Sequence, residues 1–278
     1  MNRGSTSQIF TGAYSMLRAT GILESKWANR AYVSSYFLYK RFWEDPFHTL
    51  IERRPEVIGD GNVLDIGANI GYTACLFARA IKPGRAVYAF EPDQATFRTL
   101  TDTIQRRRLG NAVVAVNAAV GDADGTLEFW HNQDHAADHR VATEHFKEST
   151  GKTGGLDGSQ VTRVNVVSVD SFVELRRIDA VSFIKIDVQG FEPAVCQGME
   201  RTLARFPDVN VCCEYSPDSF AELGFDPAAV LDFFERRGMQ AHILRRSGIS
   251  AVNKREEIVL AVREEGYVDL LYSRRRAE

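Results

Sequence analysis

Cysteine is scarce: four occur in 278 residues, Cys75, Cys196, Cys212 and Cys213. Each lies in a mostly apolar run with neither zinc-ligand spacing nor the look of a disulfide framework, so buried free thiols in a reducing compartment are expected. No uninterrupted apolar stretch approaches the roughly 20 residues that span a bilayer. The N-terminal MNRGSTSQIFTGAYSMLRATG has no sustained apolar core followed by small residues. These absences predict a cytoplasmic protein without a membrane span. An excess of one charge is also missing. The 34 Lys and Arg against 37 Asp and Glu leave a net charge of −3, which argues against nucleic acid as a partner. The clusters Arg106–Arg108 and Arg274–Arg276 sit at a helix end and a terminus, where basic charge is favoured or simply solvated. With 44% hydrophobic and 26% charged residues, the chain has the composition of a folded domain.

What is present is a rhythm. From residue 61 onward, short apolar runs alternate with longer amphipathic ones. Strands are predicted at Val63–Ile66, Arg85–Phe90 and Ala112–Val120, with helices at Ile70–Ile81 and Ala95–Leu109 between them. The pattern returns as a strand at Val181–Ile186, a helix at Glu192–Phe206 and a strand at Val209–Cys213. A helix at Pro227–Arg237 comes next, with closing strands at Ala241–Leu244 and Ile258–Val262. Helical crossovers of this length imply a Rossmann-like, doubly wound, mostly parallel α/β sheet over residues 61–278. Residues 1–60 are helix-like and aromatic, fitting an N-terminal layer packed on the sheet, a substrate lid, or both. The layer could pack within the chain or across a homodimer. Between Gly121 and Asp170 the rhythm fails. Here a hairpin at Gly125–Trp130 is followed by a polar insert, around 123–160, with loop chemistry.

The stretch VLDIGANIGYTAC, Val63–Cys75, places Asp65, Gly67 and Gly71 where a buried strand would otherwise continue. In a doubly wound sheet ligands bind at the carboxyl ends of the strands, and glycine lets backbone approach them. A dinucleotide fingerprint requires G-x-G-x-x-G, whereas this loop offers G-x-x-x-G with an acid before it. A cofactor with a cationic group suits it better than a pyrophosphate. The next strand ends in YAFEP, where Glu91 can accept hydrogen bonds from a ribose diol, and NAAVGD adds Asn117 and Asp122 at the third.

VLDIGANIGYTA, VYAFEPD, VNAAVGD, VNVVSVDSF and FIKIDVQGFEP, in that order, resemble the FkbM family of S-adenosylmethionine-dependent methyltransferases over about residues 62–216. The resemblance implies methyl transfer to a hydroxyl of a sugar, polyketide or other small natural-product scaffold. It implies S-adenosylmethionine held by Asp65, Gly67, Asn69, Gly71, Glu91 and Asp122. One departure stands out: the family usually reads KIDVEG, and here Gln189 replaces the acid, able to orient a hydroxyl but not to act as a base.

For chemistry, Asp187 is the leading candidate base, just past the fourth strand on the cofactor edge. Glu192 opens the next helix, either as a dipole-favoured acid or as a substrate contact. Glu214 ends the fifth strand, and with Asp187 it could hold a divalent cation such as Mg²⁺. WHNQDHAADHR spaces His131, His135 and His139 four apart. A solvated loop and a substrate-facing loop fit it equally, the latter with His135 or His139 as base and His135, His139 or Arg140 against substrate; a metal site fits less well. The reading is an O-methyltransferase acting on a small-molecule acceptor, with N-methylation not excluded. Its rivals are a cofactor-binding protein without catalysis and an NAD-dependent oxidoreductase.

Overall fold

The computed structural model of the chain describes residues 26–130, 139–151 and 161–274. The chain enters through α1 (Lys26–Tyr39), a π-helical turn (Lys40–Glu44) and α2 (Phe47–Arg53). These elements pack on the sheet domain through their aromatic rings, for Phe47 meets Phe77 edge-on at 5.5 Å and Phe37 meets Tyr72 at 5.1 Å. Phe77 in turn contacts Phe183 at 5.4 Å and is fully buried, as is Phe183. Each such ring removed from water is worth about 1.5–3 kcal/mol.

Then come β1 (Asn62–Ile66), α3 (Tyr72–Ala80), β2 (Val87–Phe90), α4 (Gln94–Arg106) and β3 (Val113–Val116). β1 is buried along its whole length, as a central strand covered on both faces must be. α4 starts where Asp93 caps the free N–H of Thr96 at 2.8 Å. The run AVVAVNAAV, predicted as one strand, divides. Asn117 donates its amide to the carbonyls of Glu91 and Pro92, and the chain leaves the large sheet to form β4 (Ala119–Gly121).

β4 belongs to a second sheet with β5 (Gly125–Trp130), β6 (Arg140–Val141) and, after α5 (Glu144–Gly151), β7 (Val161–Ser168), in the order β4-β7-β5-β6. So the region from Gly121 to Asp170, expected as hairpin and loop, carries a small sheet of its own. α6 (Val169–Leu175) leads to β8 (Val181–Ile186). The helix predicted at Glu192–Phe206 is two, α7 (Glu192–Gln197) and α8 (Glu200–Arg205). They part at Gly198, where a Cβ would lie 2.0 Å from the Gly121 carbonyl oxygen.

The chain continues through β9 (Asn210–Tyr215), α9 (Pro217–Glu222), α10 (Ala229–Glu235), β10 (Gln240–Arg245) and β11 (Gly248–Ala251). The run at Ile258–Val262 is not a strand. It lies in α11 (Arg255–Glu265), with Glu256 and Glu257 in the first turn, Arg263 in the last and only Ile258 and Ala261 buried. The closing strand is β12 (Val268–Ser273).

The large sheet runs β11-β10-β12-β9-β8-β1-β2-β3, parallel from β3 through β9 and antiparallel where β12 enters between β9 and β10. That is a Rossmann-like, doubly wound α/β sheet with an apolar core on each face. All four cysteines are free and buried. Among the described residues no helix is long and apolar enough to cross a membrane.

Candidate active site

Strand register sets the site. Ile66 of β1 stands beside Phe90 of β2 and Ile186 of β8, and Ile186 beside Cys213 of β9. One step on, Glu91, Gly67, Asp187 and Glu214 emerge in a row at the carboxyl edge, and Asp269 of β12 pairs with Glu214. A cleft of about 460 Å³ opens over this row, a size suited to a small ligand.

The loop after β1 is held by backbone bonds. The N–H groups of Gly67 and Ala68 donate to the Phe90 carbonyl at 3.2 and 2.9 Å, and that of Asn69 donates to Glu91 Oε2 at 3.1 Å. Gly67 has φ 80°, and a Cβ there would lie 1.8 Å from the Asp187 carbonyl oxygen. Only glycine lets the exits of β1 and β8 run this close. Glu91 faces the cleft, and its Oε1 accepts from the Asp93 N–H at 2.9 Å. Burial, then the Asp93 charge, push its pKa up to about 8 against the pull of the N–H donors.

Under the loop lies Lys185, a cation in the apolar run VSFIKI. Its Nζ donates to the Gly67 carbonyl at 2.9 Å and sits 3.3 Å from Asp187 Oδ2 and 3.7 Å from Asp65 Oδ1. Burial works against its charge, but Asp187 and Asp65 outweigh it and hold the pKa above the ordinary lysine range. Asp65 is wholly buried and accepts from Thr73 Oγ1 at 2.7 Å. Burial pushes its carboxyl upward against Lys185 and Thr73. Asp187 accepts from Gln189 Nε2 at 3.0 Å. Burial opposes its ionisation too, but Lys185, Lys40 and the Gln189 amide overcome it and hold the pKa below the usual carboxylate range. The amide at 189, in left-handed backbone with φ 56°, thus supplies Asp187 with a donor where an acid would repel it.

The structure gathers Gly67, Asn69, Glu91, His139, Asp187, Gln189 and Glu214 on the cleft wall. Other predicted residues lie off it. Asp65 sits beneath the loop, Gly71 caps α3, Asn117 is spent on two backbone carbonyls, and Asp122 is not among the lining residues. Glu192 is buried and accepts from the N–H groups of Val188 and Gly190 at 2.7 and 2.9 Å, so it shapes the turn after β8. Burial pushes its pKa up to about 7. Arg140 pairs with Glu222 instead of entering the cleft. His131 and His135 fall outside the described residues. Among the described residues no group of three or more His, Cys, Asp or Glu is placed to hold a metal ion.

Sequence reasoning missed several lining groups. Tyr36, Lys40 and Asp45 come from the N-terminal segment, Tyr267 and Asp269 from the start of β12. Lys185 was legible as a charge inside an apolar strand, a placement that occurs only with a partner. Asp269 was hidden by the misplaced closing strand.

A parallel core closed by an antiparallel strand, with glycine loop and acid at the ends of β1 and β2, defines a methyltransferase-type Rossmann-like fold. The family model described as "Methyltransferase FkbM domain" matches residues 65–241, well over half of the chain, which therefore belongs to the FkbM methyltransferase family. A hexuronic acid methyltransferase from Haloferax volcanii is 28% identical, covering 58% of this chain but only 57% of its own length. The 31-O-demethyl-FK506 methyltransferase of Streptomyces tacrolimicus is 30% identical, covering 59% of this chain and 68% of its own. A solved FkbM methyltransferase from Methylobacillus flagellatus KT is similar at a TM-score of 0.48 and 14% identity, over 81% of this chain and 47% of that one.

Proposed function

We propose that the protein transfers the methyl group of S-adenosylmethionine to a hydroxyl of a sugar or other small natural-product scaffold. The observation that carries this reading is Glu91. It faces the cleft from the end of β2 and is tied through the Asn69 N–H to the glycine loop. A carboxylate there accepts from a ribose diol, and the loop lacks the tight G-x-G turn of a pyrophosphate site. Gly67, Asn69, Glu91 and Thr96 hold the cofactor on one side of the cleft. Tyr36, Lys40, Asp45, Glu214 and Asp269 face the acceptor on the other, with residues 26–45 forming part of its wall. When bound, S-adenosylmethionine supplies an electrophilic methyl group; the protein's share is alignment and removal of the acceptor's proton. The relatives' names, for hexuronic acid and 31-O-demethyl-FK506, support an oxygen acceptor on a small molecule.

Calorimetric titration with S-adenosylhomocysteine and, separately, NADH tests the pocket. The first should bind and the second should not. Glu91→Gln should weaken S-adenosylhomocysteine about 10-fold, as replacing a carboxyl oxygen acceptor by an amide donor implies. Binding of NADH alone would overturn the reading. Transfer of labelled methyl to hydroxylated sugars separates catalysis from cofactor binding without turnover.

A further inference from the structure

Two carboxylates on the acceptor side have no partner among the described residues. Glu214 of β9 and Asp269 of β12 are directly opposed in an antiparallel pair, so their side chains share one face of the sheet. Both line the cleft, and neither side chain makes a hydrogen bond or ion pair with any described residue. Half-buried acids set side by side in this way repel each other, and with their oxygens open on the cleft they are free to take up a proton or a donor from a bound molecule. Asp187 is the reverse case. Its oxygens are taken up by Lys185 and Gln189, which lowers its basicity.

We infer that Glu214 and Asp269 act together as the general base that takes the acceptor's hydroxyl proton, and that Asp187 serves to hold Lys185 and the loop. The inference rests on the methyl-transfer reading. The acceptor oxygen forms its bond to the methyl carbon as the methyl–sulfur bond breaks, its electron pair remaining on sulfur. The hydroxyl proton passes to the carboxylate pair and then to solvent.

The charges around the pair fit this task. Asp269 faces Asp187 from β8 and Asp45 from the N-terminal segment, with Lys185 and Lys40 opposing, and Cys212 lies behind it. Glu214 feels Asp187, Glu192 and Asp269, with Lys185 opposing. Burial first, and then these acids, push Asp269 up to about 7 and Glu214 well above the ordinary range. At about 7, Asp269 is matched to neutral pH.

The test uses the full chain with Glu214→Gln, Asp269→Asn and Asp187→Asn. Carbon-detected carboxyl titration of the wild type needs no acceptor, and should find the Glu214 and Asp269 carboxyls, each assigned by the loss of its signal in its own variant, ionising above the ordinary carboxylate range. Each of the first two variants should remove one of them and lower the other. Both variants should bind S-adenosylhomocysteine within about twofold of wild type, the pair being on the acceptor side. With labelled S-adenosylmethionine and a panel of methyl hexosides, turnover should fall about 10²- to 10⁴-fold in each. The acidic limb of the pH profile should move down in Glu214→Gln and Asp269→Asn and stay in place in Asp187→Asn. Finding both carboxyls ionised below about pH 5, or the acidic limb lost only in Asp187→Asn, would overturn the assignment. Failure of the wild type to bind S-adenosylhomocysteine would instead sink the methyl-transfer reading and leave the titration result standing.

Discussion

Lys185 joins the exits of β1 and β8 through one ammonium, touching the Gly67 carbonyl, Asp187 and Asp65. Read from sequence alone, Asp65 is a cofactor ligand. Buried beneath the loop, it is first a counter-charge, and removing one member of a buried pair costs about 3–5 kcal/mol because the other is left uncompensated. Asp65→Ala should therefore lower the unfolding free energy by that order, read as a lower urea midpoint at unchanged m-value. The double variant with Lys185→Met should recover part of the loss, since neither charge then remains. Equal stability of Asp65→Ala and wild type would remove the pair from the fold's support.

The exits of β1 and β8 lie against each other, and Gly67 is what permits it. Gly67→Ala adds a Cβ in left-handed backbone directly into the Asp187 carbonyl. Backbone cannot rotate aside as a side-chain tip can. A loss of more than about 2 kcal/mol is expected, with S-adenosylhomocysteine affinity falling at least tenfold as the loop is displaced. Wild-type affinity would mean the loop relaxes without moving the ligand contacts. The glycine loop was legible because its requirement is local: an acid, two glycines and a strand end. The elements that sequence misplaced depend on distant contacts. IVLAV has strand-like residues, but its flanking charges and Gly266 at the C-cap set α11, leaving Val259 and Leu260 exposed. AVVAVNAAV divides because Asn117 finds its acceptors on the β2 exit. VTRVNVVS pairs with a strand more than thirty residues upstream, a separation no short window reveals. For the same reason Glu91 could be read from YAFEP, whereas the opposition of Glu214 and Asp269 required knowing which strand closes the sheet.

Across the whole molecule, acids gather at and around the carboxyl edge of the parallel sheet, where burial works against their charge. Burial raises Glu91 to about 8 and Glu192 and Asp269 to about 7, and shifts Asp45, Asp65 and Glu214 upward as well. In the unfolded chain the same groups ionise near their ordinary values, about 3.9 for Asp and 4.3 for Glu. Between those values and the raised ones, the folded protein binds more protons than the unfolded chain. Stability is therefore fullest below the ordinary carboxylate range and declines as pH climbs through the folded values. Asp187 runs the other way, because its pKa is lowered in the fold, as do Glu56 beside Arg54 and Glu128 beside Lys147, but those two are exposed and solvent-screened, and the raised groups outnumber them. Surface pairs such as Arg255 with Asp232 and Glu235 are solvent-screened and add little. Thermal unfolding in one buffer series should give a Tm lower at pH 8 than at pH 5.5 by roughly 5 °C or more, since each kcal/mol moves Tm by about 2–4 °C at this size. Glu214→Gln should flatten that slope, since one member of the opposed pair no longer ionises. A Tm that climbs from pH 5.5 to 8 would mean that these carboxyls are ionised and paired in the fold, and that the cleft does not store the repulsion assigned to it.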